Sequence, residues 1–377
     1  MNPSPLKRRK FINNSAKAAA GMMGLNFLTI PIVKARPTLI FQEARIRFSV
    51  IGMNHGHINS LVETVIKGGG QLVSFFAKEP ELSAAFAKTY PNAKSAGSKQ
   101  EILEDNSIQL IVSAAIPNER GPLGIESMLH GKDFMVDKPG ITSLEQLGEI
   151  RKVQKISKRI FSILYGDRLE NKATKKAGEL VKDNAIGKVI QTIGLGPHKM
   201  NPATRPDWFF QKEKYGGILT DLGSHQFDQF LYFTNSSHAE VIASQVGNFN
   251  NKQYPEMEDF GDAMLRGDGG SGYLRVDWFT PNGLPTWGDG RLTILGTEGY
   301  IEVRKNIDIA GRPGGSHLFL VNKKETKYID CNDVILTYGP DLVNDIINRT
   351  ETAMTQQHCF LAMQLALQAQ QLAQTIK

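Results

Sequence analysis

Hydrophobic and polar positions along the chain follow two rhythms, and the change comes near residue 165. Before it, short runs of β-branched and aromatic residues predict strands at 45–52, 71–76, 108–115 and 133–136. Around them, apolar residues recur every three or four positions and predict helices at 58–67, 80–90, 99–104, 123–130 and 143–157. Strands that alternate with helices of this length need right-handed crossovers, and so form a parallel sheet covered on both faces. Residues 45–165 are therefore expected to be one doubly wound α/β unit.

Beyond 165 a single helix at 171–182 is followed by strand-like runs at 189–195, 241–248, 258–266, 271–278, 291–296, 299–303, 317–321 and 325–329, divided by Gly, Asn and Asp turns. Strands that succeed one another without helices between them pair mostly antiparallel. The expectation for 166–345 is an α+β domain with a large open sheet. The Ala-, Leu- and Gln-rich stretch 351–377 is expected to be a helix that packs back on the first domain.

Charge changes the picture at one end only. The 377 residues include 44 Lys and Arg against 38 Asp and Glu, a net charge of +6, which suggests a basic protein with an acidic partner. Residues 1–36, however, hold Lys7, Arg8, Arg9, Lys10, Lys17, Lys34 and Arg36 and no acidic residue, so the other 341 carry 37 basic against 38 acidic side chains. The body has no basic excess, and no nucleic-acid partner is expected. A basic run at 7–10, then Phe11-Ile12, then an apolar stretch ending in Val33-Lys34-Ala35 is the order of a secretory leader. Arg8-Arg9 before Phe11-Ile12 resembles a twin-arginine signal, the type that exports proteins already folded around a cofactor. A periplasmic or otherwise exported protein is expected; a retained tether, a disordered tail and a cytoplasmic location are the alternatives. The apolar stretch 18–33 falls short of the roughly 20 residues that span a bilayer, so no stable membrane insertion is expected once the leader is removed. Two cysteines, Cys331 and Cys359, exclude a disulfide scaffold and are expected to be single buried thiols.

Three segments carry candidate chemistry. The first is the turn Gly52-Met53-Asn54-His55-Gly56-His57 between a strand and a helix, where free backbone N–H groups and the helix dipole can hold a pyrophosphate. Asn54 stands where a second glycine is usual, and the next glycine falls one place early, at 56. At the following strand end, where an acidic residue would bind the adenosine ribose, the chain reads Ala77-Lys78-Glu79. Glu79 suits a ribose hydroxyl and Lys78 a 2′-phosphate, which leaves NAD and NADP both open.

The second segment is Asp137-Lys138-Pro139, at the end of a predicted parallel strand, where ligands of such sheets bind. A lysine there can stabilise negative charge developing on a substrate oxygen. The third is Gly216-Gly217-Ile218-Leu219-Thr220-Asp221-Leu222-Gly223-Ser224-His225. If it is helical, Asp221 and His225 lie one turn apart with Asp228 on the same face, and the carboxylate fixes the tautomer and basicity of His225. A zinc site built on Asp221, His225 and another histidine lacks a His-x-x-x-His or a pair of cysteines, and no metal is expected. Near this segment, His198, Arg205 and Trp208 combine cation and aromatic surface suited to the hydroxyls and apolar face of a sugar ring; a local packing cluster reads equally well.

Taken together, the turn at 52–57, the Asp-Lys-Pro at 137–139 as a variant of Glu-Lys-Pro, and the Gly-Gly-x-x-x-Asp-x-Gly-x-His at 216–225 resemble the Gfo/Idh/MocA oxidoreductases over nearly the whole chain after residue 44. The resemblance implies a Rossmann domain that binds NAD or NADP and a second domain whose open sheet carries the substrate and often the contact of a homo-oligomer, a dimer or tetramer. It also implies that Lys138, Asp221 and His225 line the substrate site beside the nicotinamide. Pro117-Asn118 matches a further cofactor-contacting pair, with Gly121 where a histidine is common. The implied activity is hydride transfer between NAD(P) and a sugar, polyol or sugar derivative. Export from the cytoplasm favours, as the alternative, a glycosidase or lyase that recycles a tightly held cofactor internally.

Overall fold

The computed structural model describes residues 44–377, and the leader at 1–36 lies outside the described residues. The first part holds β1 (Ile46–Ile51), β2 (Gly70–Phe76), β3 (Lys94–Ser95), β4 (Leu110–Ser113), β5 (Asp133–Asp137) and β6 (Phe161–Leu164). They form a parallel sheet in the order β3-β2-β1-β4-β5-β6. The reversal of strand order between β1 and β4 opens a crevice at their carboxyl ends, where a doubly wound sheet takes its ligand. Every position of β4, β5 and β6 is buried, which explains why these strands read as apolar runs rather than as alternation.

The second sheet is built from β7 (Val189–Pro197), β8 (Ala239–Gly247), β9 (Phe260–Gly267), β10 (Ser271–Asp277), β11 (Arg291–Gly296), β12 (Gly299–Arg304), β13 (His317–Asn322), β14 (Thr326–Ile329) and β15 (Gln374–Ile376). Its order is β14-β13-β12-β11-β7-β10-β9-β8-β15, antiparallel except where β7 meets β10 and β8 meets β15. One face is covered by the helices Lys172–Lys182 and Ser224–Thr234, while Ile193, Met264, Leu295 and Tyr300 stand exposed on the other. The fold is thus a Rossmann-type parallel sheet followed by an α+β part with a large, mostly antiparallel sheet. Cys331 and Cys359 are both free and buried.

Two helices shape the join between these layers. Tyr338–Asn348, which no periodicity had pointed out, packs on the helix Ile58–Lys67 of the first part. The last helix begins later than expected, at Gln356, where the Thr355 side chain accepts a bond from the His358 N–H, and runs to Leu372. It does not lie on the first part alone. It packs against Leu144–Ser157 and β6 on one side, and against Ser224–Thr234 and β8 on the other. Gln356 exchanges hydrogen bonds with both backbone groups of Phe161, at 2.9 and 3.2 Å, while Gln370 accepts from the Leu219 N–H at 2.9 Å.

Candidate active site

The first part of the site is a groove at the ends of β1 and β2. Gly52 follows β1 with φ +77°, and a Cβ there would come within 2.6 Å of the Ala115 Cβ, so the turn needs glycine for both conformation and space. The turn is laced to the end of β4: Ala114 N–H donates to Gly52 O, and His55 N–H to Ala114 O, each at 3.0 Å. A groove of about 280 Å³ is lined here by Gly52, Asn54, Lys78, Glu79 and Asn118. Asn54 Nδ2 donates to Glu79 Oε1 at 2.9 Å, and Lys78 Nζ to Glu119 Oε1 at 3.0 Å. Asn118 follows Pro117 at the head of the helix Pro117–Leu129, and its Oδ1 is buried without a partner among the described residues. A Cβ on Gly56 would meet nothing within 4 Å among the described residues, so packing does not require glycine there and the position is open to solvent.

Behind the turn lies Asp137, the last residue of β5. His57 Nδ1 donates to its Oδ1 at 3.0 Å, and His55 Nδ1 stands 3.1 Å from its Oδ2. From the interior, Arg120 donates to Asp137 Oδ2 at 3.2 Å and to the carbonyl oxygens of Ala115, Lys138 and Pro139 at 2.6, 2.7 and 3.1 Å. A guanidinium that is 1% exposed thereby clamps the Asp-Lys-Pro backbone from beneath. Burial alone would push the Asp137 carboxyl up; His57 and Arg120 more than offset this and hold it well below the usual carboxylate range. Burial lowers His55 to about 4 despite Asp137, so its imidazole is neutral.

The clamp aims Lys138 across the crevice. Lys138 Nζ donates to Asp221 Oδ1 at 2.8 Å, a pair in which both residues are buried. This corrects the expected pairing of Asp221 with His225. The segment is not one helix: Gly217, with φ +90°, leads into a single turn, Ile218–Asp221, and a new helix starts at Ser224. The break at 222–223 sends Asp221 to the lysine. The carboxylate that faces His225 is instead Asp167, with Oδ1 3.9 Å from His225 Nε2. Asp167 in turn pairs with Lys305, which follows β12. Asp228, expected on the same face, accepts two bonds from Arg168 at 2.7 Å and one from His358 at 2.8 Å, and so serves packing.

His225, Asp167, Lys305, His198 and Trp287 line a cavity of about 230 Å³ together with His57 and Asp137. His225 Nδ1 is buried and has no partner among the described residues. Burial lowers the His225 pKa to about 4, with Asp167 pulling it up and Lys138 and Lys305 pushing it down. Burial would raise the Asp167 carboxyl, but His225 and Lys305 hold it below the usual range. His198 is also pushed well below its ordinary value, first by burial and then by Lys138. Trp287 meets its ring at 4.4 Å.

The expected site residues therefore divide. Gly52, Asn54, Lys78, Glu79 and Asn118 meet at the groove; His57, His198 and His225 meet at the cavity. Arg205 and Trp208 line neither: Arg205 donates to Met200 O at 3.1 Å and stacks 4.5 Å from the Phe209 ring, and Trp208 packs on the core. Asp167, Arg120, Lys305 and Trp287 were not singled out from the sequence. Asp167 and Lys305 are 138 positions apart, and no local spacing joins them.

Comparison with known proteins agrees with this architecture. Residues 174–302 match the model of the Gfo/Idh/MocA C-terminal domain. A crystal structure from Erwinia carotovora atroseptica SCRI1043, provisionally described as an oxidoreductase, is 45% identical with a TM-score of 0.86, over 88% of this chain and 100% of that one. The scyllo-inositol 2-dehydrogenase (NAD(+)) of Bacillus subtilis is 25% identical over 268 residues, 69% of this chain and 74% of that protein. Levoglucosan dehydrogenase in complex with NADH and levoglucosan shares the fold, with a TM-score of 0.70 at 16% identity over 87% of this chain and 96% of that one. For the first curated relatives by sequence the matched part is shorter, spanning 49%, 56% and 33% of their lengths.

Proposed function

Because the chain belongs to the Gfo/Idh/MocA family of oxidoreductases, we propose that it moves a hydride between NAD(P) and a hydroxyl-bearing carbon of a sugar, a polyol or a sugar derivative. The observation that carries this reading is His225: a buried imidazole, neutral at physiological pH, with an unpartnered Nδ1 and a carboxylate and two ammonium groups around it, at the cavity beside the crevice. Such a group is a base waiting for a hydroxyl proton.

The turn suits a dinucleotide. Gly52 has the required conformation, the space at Gly56 is open, the helix Ile58–Lys67 presents its N-terminus, and Asn118 offers an unmet acceptor. Asn54, Lys78, Glu79 and Asn118 would hold the adenosine half, and the bound nicotinamide supplies the hydride acceptor or donor. In the oxidising direction His225 takes the hydroxyl proton. Lys138, held in place by Asp221, stabilises charge on the substrate oxygen, and Asp167 stabilises the imidazolium that forms. His198 and Trp287 present an edge and a face to the rest of the substrate.

His225→Ala is expected to lower kcat by about 10²–10⁴ while nucleotide affinity persists, measured with a panel of polyols and sugars and NAD or NADP. Unchanged turnover would sink the assignment. The twin-arginine-like leader supports export, and with it the second reading, a redox-neutral glycosidase. Release of chromophore from aryl glycosides without added cofactor would favour that reading over the dehydrogenase. The exposed Ile193, Met264, Leu295 and Tyr300 on the open sheet face support a homo-oligomer, to be checked by light scattering.

A further inference from the structure

We propose that His55, His57 and Asp137 form a binding site for one divalent cation of the zinc type, with its open coordination side toward the cavity that His225 also lines. Among the described residues this is the group of three His, Cys, Asp or Glu side chains whose donor atoms converge, all within 4.8 Å of one another. The imidazole and carboxylate donors are those that zinc and its neighbours prefer over calcium or magnesium.

The directions of the donors carry the argument. His55 Nδ1 is buried and only 3.1 Å from Asp137 Oδ2, yet it makes no hydrogen bond with it. An imidazole placed to bond this carboxylate would point its N–H at the oxygen. Ligands of a common ion point at a centre between them; His55 Nδ1 is already off the line of a hydrogen bond, and His57 Nδ1 would exchange its bond to Asp137 Oδ1 for the ion. Bonds of roughly 2.0–2.1 Å at a tetrahedral angle separate two ligand atoms by about 3.3 Å. The two histidine–carboxylate separations, 3.0 Å to Oδ1 and 3.1 Å to Oδ2, are within a few tenths of an ångström of that spacing, and the three donors together lie within 4.8 Å of one another.

Arg120 adds what a ligating carboxylate needs. Its bond to Asp137 Oδ2, and those to the surrounding carbonyls, fix the carboxylate from the buried side. It also balances the aspartate charge. The ion's own charge is then left to an oxygen ligand from the cavity side, an anion or a hydroxyl. Three protein ligands with a free fourth position are the arrangement of an ion that engages a ligand, rather than one that only braces a fold.

The test reads the ion directly and does not depend on the NAD(P) reading. Chelator-treated protein is titrated with Co²⁺, followed by its ligand-field absorption, and with Zn²⁺ in competition. One ion per chain is expected, with affinity falling at least about tenfold in His55→Ala and in His57→Ala. His238→Ala, at an exposed histidine outside the site, is expected to bind as the parent does. Circular dichroism and thermal melting establish that each variant is folded; if an alanine variant is not, His57→Gln replaces it. Absence of stoichiometric uptake, or equal uptake by the parent and both folded variants, overturns the proposal. Loss of hydride transfer with uptake intact would instead count against the proposed function alone.

Discussion

The groove and the cavity are built from similar side chains and held in opposite ways. At the groove, polar residues pair near water: Lys78 and Glu119 are 69% and 40% exposed, and Asn54 meets Glu79 at a half-open rim. In the wall of the cavity Asp167 with Lys305 and His225, and outside its lining Lys138 with Asp221, are charges taken largely out of water. An exposed pair contributes about 0–1 kcal/mol, whereas removing one partner of a buried pair costs about 3–5 kcal/mol.

The sharpest way to break this contrast is Arg120→Met. It removes the guanidinium from a buried carboxylate and from four carbonyl oxygens, leaving Asp137 to His55 and His57, and the expected loss is about 3–5 kcal/mol of stability, read from the denaturant midpoint at constant slope. A loss below about 1 kcal/mol would show that the clamp is no more costly than a surface pair. Next is Lys138→Met, expected to lower kcat about 10²–10³-fold with the melting temperature recorded as a control.

The acid limb of kcat/KM for the oxidation tests the cavity more finely. The neutral imidazole is the active form, so the rate is expected to hold as pH falls below 6.5 and to drop as pH approaches about 4, where His225 is protonated. Lys138 disfavours the imidazolium, so Lys138→Met moves that limb to higher pH. Asp167 favours it, so Asp167→Asn moves the limb lower and reduces kcat about tenfold. Shifts of the opposite sign would return the orienting role to Asp221. The smallest effect belongs to the groove: Asn54→Ala is expected to change the KM for nucleotide by less than about tenfold and leave kcat alone.

The legible parts of the sequence were those with local causes. Strand and helix periods marked β1, β2, β4, β5 and β7 to β14 within a few residues, because burial on two faces or on one leaves a period of its own, whereas the short β3, β6 and β15 left no such signal. The Lys138, Asp221 and His225 positions were visible for the same reason, each inside a short motif. The pairing among them was not. It depends on a break at Leu222-Gly223 that turns one putative helical face into two elements with different partners. Arg120 fell ahead of the helix expected at 123–130 and carried no local signal, although it is 1% exposed and bonds four carbonyl oxygens and one carboxylate. Lys305 comes from a turn whose neighbours say nothing about Asp167. These are products of tertiary assembly.

The seam filled by Gln356–Leu372 sets an order of events during synthesis. Cys359, Met363 and Ala366 belong to a core shared with β6 and with the helix Ser224–Thr234, and β15 then lies along β8. Every other strand is made before this segment leaves the ribosome. Until it arrives, both sheets hold an unfilled apolar seam between them, and β8 has a bare edge. The seam between the two sheets is thus closed by a segment that comes after all the strands it joins except β15, and the two layers are locked together only once that helix has docked.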